Sequence, residues 1–315
     1  MNSQKRSKAI VIAGPTASGK TQLGIDLALG LKGEIINADS MQVYRGLDIG
    51  TAKPGIEERK GIIHHLIDVA DPDEEFNTAI YRSMALPVIS DINSRGNTCF
   101  IVGGSGLYIK GLIKGLLYCP RTDLKIREKL KKECEKLGSD ALHQRLGKLD
   151  PESADTIHPN DRIRIIRALE IIFLTNRPLS DLKKNHGFKD QNLLTLKLCL
   201  NVDRENLYQR INDRSVAMVE AGLPEETEKI LKKGYSPDLK PMKSIGYRHM
   251  IKYLKGEWSI EEATHKLQMD TRRYAKRQIT WFRSDPEFIW IDPQNYEFAL
   301  DTIRNFLIET SQSKL

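Results

Sequence analysis

Cysteine is scarce in this 315-residue chain: Cys99, Cys119, Cys134 and Cys199 are so widely spaced that none forms a Cys-x-x-Cys pair. That excludes a disulfide framework and a thiolate zinc site, and leaves reduced structural thiols. No apolar run approaches the ~20 residues needed to span a bilayer, so no membrane partner is expected. The opening MNSQKRSK followed by AIVIAG is basic and then apolar. Its apolar part is too short for a signal-peptide core, and a Gly-rich loop stands where cleavage would fall. A cytoplasmic protein is expected. Internal repeats and low-complexity tracts are also missing. With 40% hydrophobic and 29% charged residues, the composition excludes fibrous and wholly disordered classes. Acidic residues are outnumbered, 42 against 49 Lys and Arg, a net charge of +7 that suits an anionic partner such as nucleic acid.

What is present reads as an α/β fold. Short apolar strands at residues 10–12, 34–38 and 99–102 alternate with helical patterns, and Leu23, Leu27 and Leu31 share one helix face. Such alternation predicts a parallel sheet covered on both faces. Helical patterns then follow at 124–137, stopped by Gly138, in a short piece capped by Ser139, and at 163–174 behind Asn160 and Asp161. Polar, Pro- and Gly-broken stretches at 118–122 and 176–192 flank them. After these, Leu194, Leu196, Leu198 and Leu200 alternate with Thr195, Lys197 and Cys199, the period of a strand. A mostly helical domain inserted into a sheet domain is therefore expected: residues 1–118, 119–192 and 193–315, the last with a helical C-terminal part.

Three features carry chemistry. Gly14, Pro15, Thr16, Ala17, Ser18, Gly19, Lys20 and Thr21 match the phosphate loop GxxxxGK[ST] of ATP- and other nucleotide-binding proteins, between a strand and a helix. Its backbone N–H groups and helix N-terminus cradle a di- or triphosphate; Lys20 adds charge and the Thr21 hydroxyl is placed to ligate Mg²⁺. The motif does not say which phosphate compound binds. Asp39 ends the next strand, so it should share a crevice with that loop. It can hold Mg²⁺ through water, act as a general base, or cap a following helix. The third feature is the stretch 264–283, where Lys266, Arg272, Arg273, Lys276, Arg277 and Arg283 face one acid, Asp270, around a seam of Leu267, Tyr274 and Trp281. A basic face with aromatics interleaved is an RNA footprint or a solvated cationic face. Arg162, Arg164 and Arg167 repeat the theme.

GPTASGKT, NADSMQVYRGLDIGTAKP, HHLIDV, GGSGLYIKGLIKGL, DRIRIIRALEI, KSIGYRHM and YAKRQITWFR, in this order, resemble the tRNA dimethylallyltransferases, or tRNA isopentenyltransferases, over residues 9–292. The resemblance implies a P-loop NTPase-like core and transfer of a dimethylallyl group from dimethylallyl diphosphate. The acceptor is the exocyclic N6 amine of the adenine immediately 3′ of the anticodon in a tRNA anticodon stem-loop. The phosphate loop then holds the donor diphosphate with Lys20, Thr21 and Mg²⁺, and Asp39 is the general base. Asp39, Ser40, Met41 and Gln42 fall on tRNA, with Ser40 and Gln42 at the extruded adenine. Ser105, where the family usually has Thr, retains its hydroxyl for a backbone or base contact, and Arg127 fits another tRNA contact. Further tRNA segments are Ile163, Arg164, Ile165, Ile166 and Arg167, then Lys243, Ser244, Ile245, Gly246, Tyr247 and Arg248. The last comprises Lys276, Arg277, Gln278, Ile279, Thr280, Trp281, Phe282 and Arg283. Arg214 closes on the diphosphate, with Arg210 the competing choice. No zinc finger follows Trp290, which the resemblance reads as the bacterial, cytoplasmic type, acting as a monomer. A small-molecule kinase, a prenyl transferase for free adenine nucleotides and a nucleotide-binding RNA switch are the alternatives.

Overall fold

The computed structural model describes residues 6–117, 120, 122–186 and 193–312; Cys119 and part of both polar flanking stretches lie outside them. The chain begins with β1 (Ser7–Ala13), α1 (Lys20–Gly30), β2 (Gly33–Asn37), the edge strand β3 (His64–His65), α2 (Thr78–Ser94), β4 (Thr98–Gly103) and α3 (Gly106–Lys114). Next come α4 (Leu124–Leu137), α5 (Ser139–Leu149), α6 (Pro151–Thr156), α7 (Arg162–Thr175) and α8 (Leu179–His186). The sheet resumes with β5 (Leu193–Leu200), followed by α9 (Arg204–Glu220), α10 (Leu223–Lys232), α11 (Tyr247–Leu254), α12 (Ile260–Arg283), β6 (Ile289–Ile291) and α13 (Tyr296–Gln312). Two compact units result, Met1–Ile113 with Gln191–Leu315, and Lys114–Asp190. Among the described residues no helix is long and apolar enough to cross a membrane.

All six strands pair in parallel in the order β3–β2–β4–β1–β5–β6. Side chains of β1 alternate between two buried faces: Ile10 and Ile12 pack with Leu27, Phe100 and Leu198, whereas Val11 and Ala13 join Tyr81 and Ile101. This two-sided burial is what the apolar strand runs require. The period-two pattern of β5 proves to mark an interior strand too. Its polar partner face is covered: Lys197, 3% exposed, donates to Asp285 at 3.0 Å and Glu287 at 2.5 Å. A buried ammonium is tolerated because those carboxylates replace water.

The Lys114–Asp190 unit has its own core of Leu130, Leu142, Leu146, Ile165 and Leu169. The stretch 176–192, expected as a broken linker, contains α8. Asn176 in the left-handed region (φ 52°) ends α7, and the Asp150 carboxylate accepts the Ser180 N–H at 2.9 Å, capping the new helix. In the larger unit, α12 starts at a capping box of Ser259 and Glu262. Its buried face is Leu267, Thr271, Ala275, Gln278 and Phe282, a 3–4 spacing. The expected seam is corrected accordingly: only Leu267 belongs to the buried face, since Tyr274 is half-buried and Trp281 is 37% exposed.

Candidate active site

β1 ends at Ala13 and the chain turns through Gly14–Gly19 before α1 begins at Lys20. The turn places Ala17 (φ 63°) and Gly19 (φ 91°) in the left-handed region, which curls successive N–H groups inward into an anion-binding concavity. Gly19 at the N-cap offers no side chain to the first-turn N–H groups, leaving them for a ligand. Gly14 is required: a Cβ there would lie 2.8 Å from Ser18 Oγ and 3.2 Å from Leu200 Cβ. Over the loop lies a cavity of about 340 Å³ whose lining includes Ala17, Gly19, Lys20, Thr21, Arg210 and Arg214. Desolvation brings the Lys20 ammonium down to about 8; the charge of Asp39 opposes the fall and that of Arg214 adds to it. The only hydrogen bond of the ammonium among the described residues is a long one, to Pro15 O at 3.4 Å.

A second cavity of about 290 Å³ is lined by Thr16, Asp39, Ser40, Arg214, Tyr274 and Arg277 on its polar side and by Met41, Met218, Ile245 and Leu267 on its apolar side. The two cavities share Arg214, whose guanidinium donates to Thr16 Oγ1. Burial holds that guanidinium below its ordinary value, against the pull of Asp39. Arg214 therefore stands at the junction, whereas Arg210 is exposed and lines the phosphate-loop cavity but not the second. The short turn Ile49–Thr51 is a common wall, with Gly50 and Thr51 on one side and Ala52 on the other. Glu226 of α10 holds this turn by accepting the N–H groups of Asp48, Ile49 and Gly50 at 2.9–3.1 Å, and also takes the Tyr247 hydroxyl at 2.6 Å.

Asp39 follows β2. Its Oδ1 accepts the Met41 N–H at 2.8 Å, an Asx turn, and its own N–H donates to Asn37 Oδ1 at 3.1 Å. Oδ2 has no hydrogen-bond partner among the described residues, so one oxygen fixes the turn while the other stays available. The Ser105 hydroxyl accepts the Ser40 N–H at 3.0 Å and the Ser105 N–H donates to Ala38 O at 3.1 Å. Ser105 thus supports the backbone of the Asp39 segment. Gln42 Nε2 donates to Thr51 O and Ala52 O, both at 3.1 Å, so its amide donors brace the Ile49–Thr51 turn and are not free for a base edge.

The segments expected on tRNA divide by burial. In α12, Lys276, Arg277, Thr280, Trp281 and Arg283 are exposed and Ile279 half-buried, whereas Gln278 and Phe282 are buried. Around α11, Lys243 and Arg248 are exposed, paired with Asp238 at 2.9 Å and Asp270 at 2.5 Å. Ser244 and Ile245 line the second cavity. Gly246 (φ 99°) caps α11, and Tyr247 is fully buried, so neither is placed as an RNA contact. In α7, Ile163 is 83% exposed and Arg164 half-free beside Asp161, but Ile165 and Ile166 belong to the unit's core. Arg127 and Arg167 both donate to the buried Glu170 carboxylate, at 2.7 and 2.8 Å. Burial pushes that carboxyl up, and the two arginines more than reverse it, holding it below its ordinary value. These two arginines are first of all a structural clamp. Among the described residues no cluster of three His, Cys, Asp or Glu is placed to hold a metal ion.

Sequence reasoning missed Glu226 and Met218, and took Tyr274 only as a packing residue. Tyr274 was findable, lying four residues before Gln278 on the same helix face. Glu226 left no signal, because the three N–H groups it accepts lie 176 to 178 residues earlier.

A family model described as IPP transferase matches residues 42–285. The chain is 48% identical to the tRNA dimethylallyltransferase 2 of Geotalea uraniireducens, over 98% of this chain and 99% of that one. It is 49% identical to the tRNA dimethylallyltransferase of Geobacter sulfurreducens, over 95% and 96%. Among solved structures, the full-length tRNA isopentenylpyrophosphate transferase of Bacillus halodurans superposes with a TM-score of 0.73 at 41% identity, covering 98% of this chain and 99% of that one. A eukaryotic dimethylallyltransferase captured acting on tRNA gives 0.73 at 30% identity, covering 92% and 75%.

Proposed function

The chain belongs to the IPP transferase family, and on that premise we propose that it moves the dimethylallyl group of dimethylallyl diphosphate onto the N6 amine of the adenine immediately 3′ of the anticodon in tRNA. The observation that carries this reading is the pair of cavities joined at Arg214, with the phosphate loop on one side and Asp39 on the other. The diphosphate lies in the loop against Lys20, Arg214 and the N–H groups of residues 17–21. The five-carbon tail extends toward Met41, Met218, Ile245 and Leu267. The extruded adenine enters beside Asp39 and Ser40, and the exposed cations Lys276, Arg277 and Arg283 of α12 and Arg164 of α7 take tRNA phosphates.

In the transfer, the N6 nitrogen forms a bond to C1 of the dimethylallyl group while the C1–O bond breaks. The electron pair of that bond leaves with the diphosphate, and the N6 proton passes to Asp39 Oδ2. Lys20 and Arg214 offset the charge that develops on the leaving oxygens. The donor set suits Mg²⁺ carried with the diphosphate: the Thr21 hydroxyl lines the cavity, and this ion is ordinarily held by few protein ligands plus substrate phosphates. When bound, the ion supplies further neutralisation of the leaving group. In this reading the protein acts as a monomer in the cytoplasm.

Titration tests the donor directly. Burying a methylene is worth about 0.8 kcal/mol, so the apolar wall predicts that dimethylallyl diphosphate binds at least about tenfold tighter than inorganic diphosphate or ATP. Tighter binding of ATP would move the protein to the small-molecule kinases.

A further inference from the structure

Gln278 lies in the most basic stretch of α12, yet it is 5% exposed and its amide is engaged within the protein. Its Oε1 accepts the Thr16 N–H at 2.8 Å, and its Nε2 donates to Gly104 O at 2.9 Å. The approach around it is tight. A Cβ at Gly104 would lie 2.3 Å from Gln278 Nε2, and one at Gly106 would lie 2.1 Å from Trp281 Nε1. The two glycines after β4 thus let α12 sit directly on the loop, with no side chain between them.

The consequence falls on Thr16. Its N–H is taken by Gln278 and so does not join the N–H groups of the diphosphate cradle. Its hydroxyl is held by Arg214, and it lines the cavity of Asp39 rather than that of Lys20. One amide therefore anchors the edge of the phosphate loop that faces the acceptor, together with the arginine at the junction.

We propose that Gln278 is a positioning residue for the transfer: through Thr16 it sets where the donor's scissile bond lies between the two cavities, and it does not contact RNA. This rests on the reading that the donor diphosphate occupies the phosphate loop and the adenine the neighbouring cavity. The role is distinct from that of Lys20 and Arg214, because Gln278 touches neither substrate. It works by holding Thr16 and Gly104 in register, and a displacement of about 1 Å at a reacting centre costs on the order of 10²-fold in rate.

The test uses the full-length protein with Gln278→Met, which fills the space but loses the hydrogen bonds, and Gln278→Glu, which keeps an acceptor for the Thr16 N–H. Single-turnover transfer at saturating tRNA and donor is measured beside the Kd for tRNA and for inorganic diphosphate. The proposal predicts that Gln278→Met lowers the single-turnover rate by about 10²-fold, leaves both Kd values within about twofold, and that Gln278→Glu recovers part of the rate. Weaker tRNA binding with an unchanged single-turnover rate would make Gln278 an RNA contact and overturn the proposal. Equal losses of rate and of both affinities in the two variants would also overturn it, reducing Gln278 to a general packing residue. A wild-type protein that transfers no prenyl group would instead contradict the function on which the proposal rests. Should Gln278→Met fail to fold, the rate and Kd of Gln278→Glu against wild type decide the matter.

Discussion

Asp39→Asn lowers turnover by about 10²–10⁴-fold, the range lost with a general base, and leaves the tRNA Kd unchanged. Asparagine retains an oxygen for the Met41 N–H, so the Asx turn that shapes this wall persists. What it loses is the capacity of the second oxygen to take the N6 proton. Asp39→Ala loses the turn as well, and should show the same fall in turnover with a lower melting temperature. Comparing the two variants separates proton transfer from local structure. A parallel loss of tRNA affinity and turnover in Asp39→Asn would make Asp39 a binding residue, and normal turnover would leave it only the Asx turn that accepts the Met41 N–H.

Lys20→Met lowers kcat/KM for the donor by about 10²–10³-fold, the loss that follows removal of one preorganised donor from developing oxyanion charge. The pH dependence gives a second signature. In the free protein the Lys20 ammonium is held at about 8, chiefly by desolvation. Below that pH the charge that attracts diphosphate is present; as pH rises through it, the charge is lost and binding must restore a proton. Hence kcat/KM for the donor falls above about pH 8 while kcat, which reports the occupied site, stays level there. In Lys20→Met the break disappears. A break that persists in the variant would belong to another group.

The parts legible in the chain were those set by local chemistry. The GxxxxGK[ST] spacing declares its own turn, and the strand ends before Gly14 and Asp39 place both at one edge of a parallel sheet. The structure has Thr16 and Asp39 lining one cavity. The helix limit at Gly138 followed from a residue that tolerates positive-φ backbone.

What escaped was decided by partners far along the chain. The seven-residue recurrence of Leu267, Tyr274 and Trp281 resembles a packing seam, but α12 rotates so that Gln278, a polar residue, meets Thr16 and Gly104. No periodicity reveals that a buried amide has two backbone partners waiting. Lys197 is the same case, a charge in an apparently half-exposed strand that is buried against Asp285 and Glu287. Gln42 and Arg127 carry groups suited to nucleic acid, yet the turn at Thr51–Ala52 and the carboxylate of Glu170 engage them first.

The central claim is a single group transfer to one nucleotide, and mass spectrometry of the RNA reads it. tRNA incubated with the protein, Mg²⁺ and dimethylallyl diphosphate is digested and mapped, with ATP replacing the donor in a parallel reaction. The account predicts a gain of one dimethylallyl group, confined to the adenine immediately 3′ of the anticodon. Unmodified tRNA, whether accompanied by prenylated free adenine nucleotides or by phosphate release from ATP, would contradict it.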